Sequence, residues 1–75
     1  MDMKAIKKIK TINSYDGMAR FLAECDEKSL SVPKIDGLPK DKFSYSPDSI
    51  VEYWNNIPFV RVEVSHRKYE IWQVA

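Results

Sequence analysis

Few residues in this chain have side chains that could do covalent chemistry, and they are scattered. Nucleophilic catalysis needs a nucleophile with a base in reach, and the only thiol and only imidazole are Cys25 and His66. Cys25 continues an apolar stripe, whereas His66 falls in a polar connection beside Arg67 and Lys68. A buried structural thiol and a solvated turn residue are the roles expected of them. One His and one Cys cannot make a zinc site without several carboxylates, and no CxxC, HxxxH or HExxH spacing occurs. A phosphate-cradling loop needs several glycines close together, but Gly17 and Gly37 stand far apart. The acids at positions 24, 26, 27, 36, 41, 48 and 52 have no spacing that demands a paired carboxylate or a cation site. They read as groups that solvate helix ends and loops. The expectation is a chain that is not an enzyme, with no catalytic residues, no metal and no cofactor.

Binding chemistry has more to stand on. Lys4, Lys7, Lys8 and Lys10 form a basic run that could follow a phosphate backbone, each contact releasing counterions. Lysines also protect an edge strand from aggregation, which is the plainer account. A nucleic-acid reader would add Arg61, His66, Arg67 and Lys68 near the C-terminus. Against a winged-helix arrangement, residues 27–45 offer no preceding helix, and Asp48 and Glu52 make the next segment acidic.

The elements that must position these groups follow from periodicity. Residues 4–12 read as a strand, with a helix as the close alternative because Ala5, Ile6, Ile9 and Ile12 also fit a helical stripe. Asn13 or Ser14 is a natural N-cap, and Tyr15, Met18, Leu22 and Cys25 with Phe21 predict a helix over 15–26. Between Glu27 and Tyr45, Pro33, Gly37 and Pro39 prevent a long helix, yet Leu30, Val32, Ile35, Leu38 and Phe43 are too apolar for a free linker. This is read as an ordered crossing segment, with or without one short strand, turning at Asp36-Gly37. Ser46-Pro47-Asp48-Ser49 resembles a helix start, so a second helix is expected from Pro47 to about Asn55 or Asn56, with Ile50, Val51, Trp54 and Ile57 as its buried stripe.

Phe59 to Val64 and Tyr69 to Val74 alternate as strands, and the polar connection around His66 and Arg67 makes them a hairpin. A two- or four-residue loop places Val64 opposite Tyr69, Val62 opposite Ile71 and Arg61 opposite Trp72. Trp72 would then be an exposed interface anchor beside Phe59 and Val74, with Arg61 as a cation–π partner. A three-residue loop would shift the pairing by one and turn Trp72 inward with the valines. Ile50, Val51, Trp54 and Leu22 are expected to share a core with Val60 and Val62.

The fold class predicted is α+β, one small domain over residues 1–75, in the order β-α-(irregular)-α-β-β, with an antiparallel sheet and two helices packed on one face. A 75-residue chain has room for one core and little for a deep pocket. Its 44% hydrophobic content and nine aromatics are those of a folded protein. Residues 1–23, 24–52 and 53–75 carry net charges of +3, −3 and +1, which sum to the +1 of the whole and disfavour both a strongly basic nucleic-acid binder and an acidic DNA mimic. A lone cysteine suits a reducing compartment, and no apolar run is long enough to cross a bilayer, so a cytoplasmic protein away from the membrane is expected, as monomer or homodimer.

Met18-Ala19-Arg20-Phe21-Leu22 and Ile50-Val51-Glu52-Tyr53-Trp54-Asn55, set on either side of an irregular segment, resemble very short uncharacterised proteins of bacteriophages and integrative elements of Gram-positive bacteria. The resemblance spans about half the chain. Such proteins often carry cysteines in the middle between the two segments; the irregular stretch 27–45 has none here, so a metal site is not carried over. The resemblance implies an accessory role, such as inhibiting or regulating a host protein. Together with the surplus of aromatics, it favours a noncatalytic protein-binding module, with a small nucleic-acid-binding regulator as the alternative.

Overall fold

Ile6, Ile9 and Ile12 recur every third residue, a spacing that a flat strand of period two cannot keep on one face. The chain solves this with bulges. In the computed structural model, which describes residues 3–39 and 49–75, the segment forms strand β1 (Met3–Ile12). Its antiparallel pairing with β6 (Lys68–Val74) slips between Ala5 and Lys7 and again between Lys8 and Lys10. Each slip leaves an isoleucine as the extra residue and resets the alternation. Ile12 is thereby buried and Ile9 packs beside it, while Ile6 stays half exposed.

Ser14 then caps α1 (Tyr15–Ala23), its Oγ accepting from the Gly17 N–H at 2.9 Å. The helix ends three residues earlier than the expected 15–26, with Glu24 as C-cap. Cys25 lies beyond the helix yet still packs on the cluster formed by Ile12, Met18, Phe21, Phe59 and Ile71.

The crossing segment holds two strands, β2 (Ser29–Val32) and β3 (Ile35–Asp36), separated by Pro33 and Lys34. Gly37 follows at φ 85°, a left-handed conformation that suits the expected turn. The part of that segment from 40 to 45, including Phe43, and the Ser46-Pro47-Asp48 signal lie outside the described residues.

The second helix is not formed. Residues 49–54 are strand β4 (Ser49–Trp54), in which Val51 and Tyr53 face one way and Glu52 and Trp54 the other. β-Branched and aromatic residues favour a pleated surface, and Asn55-Asn56 supplies a sharp reversal, with φ of 50° and 65° at the two positions. That is a hairpin turn into β5 (Ile57–Ser65), where a helix end was expected. Pro58 pairs with Tyr53 near the start of β5, ahead of the stretch that begins pairing with β6 at Phe59, so its missing N–H is tolerated.

The fold is therefore mostly β, correcting the two-helix α+β expectation: 59% of the described residues are in strands and 14% in helix. The sheet order is β2-β4-β5-β6-β1-β3, antiparallel throughout except for β1 with β3. Since β2 and β3 are the two ends of the sheet yet only Pro33 and Lys34 apart in the chain, one bent segment ties the ends together. The Met3 N–H donates to the Lys34 carbonyl at 3.2 Å at this junction. The result is a nearly closed, barrel-like sheet.

Its concave side gathers Val32, Val51, Val60, Val62 and Val74, with Met3, Ile35, Tyr53 and Trp72 around them. Its other side carries the α1 cluster. The core expected to unite Leu22, Ile50, Val51, Trp54, Val60 and Val62 is thus divided by the sheet. Leu22, on α1 itself, and Trp54 pack against the helix-side cluster, the three valines lie on the concave side, and Ile50 is 51% exposed.

The β5–β6 hairpin turns at His66 and Arg67, Arg67 having φ 60°, but its register departs from expectation. A slip between Glu63 and Ser65 leaves Val64 as an extra residue, so Glu63 meets Tyr69, Val62 meets Glu70, Arg61 meets Ile71 and Val60 meets Trp72. The expected register would have set Glu63 opposite Glu70, two like charges side by side. The bulge separates them and brings Trp72 in among the valines.

Candidate functional site

Phe59, Arg61, Trp72 and Val74, the interface expected from sequence, do not form one surface. Phe59 and Val74 are fully buried, in different clusters. Arg61 lies on the helix side and pairs through Nε with Glu52 Oε1 at 3.0 Å. Trp72 is half-buried on the concave side, its indole N–H donating to Glu70 Oε1 at 3.0 Å. A tryptophan held this way stabilises the sheet and does not project as an anchor.

Cys25 and His66 also stay apart. The Cys25 Sγ–H donates to the Phe21 carbonyl at 3.2 Å. Burial pushes the thiol pKa above its ordinary value, and the carboxylates of Glu52, Asp26 and Glu24 push it further against the opposing pull of Arg61. Such a thiol is a poor nucleophile. His66 sits on the exposed hairpin tip, edge-on to Tyr15 with centroids 6.3 Å apart, and the Arg67 guanidinium lies over the same tyrosine ring at 5.4 Å. Tyr69 completes this cluster. Burial raises its pKa, with Glu63 and Tyr15 adding to the shift and Arg61 opposing it. Among the described residues no group of three or more His, Cys, Asp or Glu could hold a metal ion.

The structure does assemble a site at the basic run. β1 pairs with β6 along one edge, but on the other edge β3 covers only Met3 and Lys4. From Ile6 to Ile12 that edge has no strand partner among the described residues. Pairing places Lys7 with Gln73 and Lys10 with Ile71 on the helix side, and Lys8 with Trp72 on the concave side. All three are exposed. Lys8 Nζ comes no nearer than 3.9 Å to a Glu70 oxygen, and Lys10 Nζ lies 5.3 Å from the centroid of the Phe21 ring.

Beside this edge runs an open groove of about 310 Å³. β1 lines it with Lys10, Thr11 and Ile12, and α1 with Arg20 and Phe21 followed by the C-cap Glu24. Close packing of the helix on the strand end makes the groove possible: a Cβ on Gly17 would stand 3.0 Å from Ile12 Cγ2.

Of the residues suggested for nucleic-acid contact, Lys7, Lys8 and Lys10 therefore share the uncovered stretch of edge, while Lys4 lies where β3 pairs with β1. His66, Arg67 and Lys68 lie at the hairpin tip, and Arg61 is set off from β1 by the intervening β6. Sequence reasoning missed Arg20 and Phe21 as part of this site. Their signal was the helical stripe itself, which places Phe21 toward the strand that precedes the helix.

Comparison of the chain with protein-family models, with curated proteins and with solved structures returns no match. Among the described residues no helix is long and apolar enough to cross a membrane.

Proposed function

We propose that this chain is a noncatalytic protein-binding module that engages its partner through the free edge of β1. One observation carries the reading: from Ile6 to Ile12 a strand presents backbone N–H and C=O groups with no partner strand among the described residues. Such a row is a template for a strand from another chain, and main-chain hydrogen bonds of this kind are a recurring mode of peptide recognition. An accessory role directed at a host protein, as the resemblance to short phage and mobile-element proteins implies, fits a module of this kind.

Nucleic-acid binding is the second reading, favoured by the four lysines of β1. Their placement weighs against it. A phosphate backbone is tracked best by cations on one surface, whereas Lys8 faces away from Lys7 and Lys10 across the sheet.

The test is affinity capture with the immobilised full chain from a lysate of the native cell, with and without nuclease treatment. A protein recovered in stoichiometric amount under both conditions is the expected result. Recovery of nucleic acid alone, or loss of the captured protein on nuclease treatment, would overturn the reading.

A further inference from the structure

We infer that the partner contributes an extended acidic segment, which adds as a strand to the free edge of β1 next to α1. The inference rests on the protein-binding reading and names the chemistry of what is bound. Side chains of a strand added at an edge alternate between the two sheet faces, so a complementary edge must offer its charges on both. This one does: Lys7 and Lys10 lie on the helix side and Lys8 on the concave side, with Arg20 of α1 across the groove from Lys10. Lys7, Lys10 and Arg20 form no ion pair among the described residues, and Lys8 has only its long contact with Glu70. Among the described residues, Glu24 is the one opposing charge in the groove wall.

The same charges argue against a second copy as the occupant. Edge-to-edge pairing of two β1 strands would set lysines against lysines, a device by which natural sheets resist self-association. Lysines that repel a like edge attract a carboxylate-bearing one. The two bulges limit where the new ladder seats. Lys10, Thr11 and Ile12 are the regular stretch that follows the second bulge, and they are the β1 residues that line the groove.

The test is a titration of the ¹⁵N-labelled full chain with a Glu–Val peptide of repeating Glu-Glu-Val-Val, which sets carboxylates on both faces of a strand, with its Gln–Val counterpart of repeating Gln-Gln-Val-Val, and with a short DNA duplex. The Glu–Val peptide is expected to shift the amides of Lys10–Ile12 and of α1 facing the groove, and to bind at least about tenfold more tightly than the Gln–Val peptide. Paired reversal, Lys10→Glu with Arg20→Glu, is expected to weaken it about tenfold or more. The neutral pair Lys10→Gln with Arg20→Gln should show a smaller loss, and native amide dispersion in each variant confirms that the fold is intact. Equal binding of the two peptides, shifts confined to β2 or to the hairpin tip, or no peptide binding would each overturn the inference, and the protein-binding reading would still rest on the capture experiment. Binding of the duplex alone would overturn both.

Discussion

Gly17 shows how one residue can be set by its neighbours against its own propensity. In a helix interior alanine is favoured over glycine by roughly 1 kcal/mol. Here an added Cβ would meet Ile12 Cγ2 at 3.0 Å and Ser14 Oγ at 3.1 Å, the latter being the capping oxygen that accepts from Gly17 itself. Each neighbour must give by a few tenths of an ångström, Ile12 within the packed cluster and Ser14 at the cap; overpacking costs about 1–3 kcal/mol and loss of a cap about 1 kcal/mol. Gly17→Ala is therefore expected to lower stability by roughly 1–2 kcal/mol, read as a lower urea midpoint with an unchanged slope. A higher midpoint would contradict the packing described. Cys25 and Tyr69 give a pH prediction. Both have pKa values raised in the folded chain, so the native state holds their protons more tightly than the unfolded one. Their contribution is fully present below the unfolded values, roughly pH 8.5 for thiol and 10 for phenol, and is lost as pH rises through the folded ones. Thermal midpoints should fall at alkaline pH, and Cys25→Ser with Tyr69→Phe should flatten that fall.

At the scale of elements, the β4–β5 turn depends on two asparagines in left-handed backbone. Asn56 has φ 65°, its side-chain oxygen accepts from Lys28 Nζ at 3.1 Å, and its N–H donates to Asp26 Oδ2 at 2.9 Å. Asn56→Gly removes the exposed side-chain bond together with the Cβ, whereas Asn56→Ala removes the same bond and keeps a Cβ in a conformation that costs about 1–2 kcal/mol. Alanine should lower the denaturation midpoint distinctly more than glycine; equal effects would count against the turn. This Asn-Asn pair was also the overlooked signal in the sequence. Ile50, Val51, Trp54 and Ile57 fit a helical stripe, but Ile50, Glu52 and Trp54 equally fit one face of a strand, and a serine-proline-aspartate lead-in tipped the choice toward helix. Reading 55–56 as a hairpin turn would have tipped it back. The first helix and the β5–β6 loop were legible because local signals settle them: a capping serine, an apolar stripe and a short polar reversal. The bulges at Ile6, Ile9 and Val64 were not, because each trades a local pairing for contacts made only when the whole sheet is present. The basic edge was visible as a run of lysines. Its openness, and the proximity of Arg20, depended on which strands β1 would lack as neighbours.

At the scale of the molecule, two clusters share the same strands. Phe59 and Ile71 point to the helix side, while Val60 and Trp72, their neighbours in sequence, point to the concave side. Neither cluster can be dismantled without disturbing β5 and β6, which form the backbone of both. The ends of the sheet are joined through Pro33 and Lys34, so fraying at β2 pulls on β3 as well. Such coupling predicts one cooperative transition, as is usual for a small single domain. The two tryptophans allow a direct check because each reports on one side. Trp54 rests on the Phe21 ring with centroids 5.7 Å apart beneath α1, and Trp72 lies among the valines. With Trp72→Phe the remaining fluorescence follows the helix-side cluster, and with Trp54→Phe it follows the concave one. Each substitution keeps an aromatic ring in place, so both variants should remain folded. Within each variant, the urea midpoint from fluorescence is expected to coincide with that from far-ultraviolet circular dichroism, with equal slopes. If the helix-side signal were lost at lower urea than the sheet signal, α1 would be a separately unfolding unit. The groove beside Lys10 and Arg20 would then open and close with it, and a partner seated there would restore the coincidence of the two transitions by stabilising the closed form.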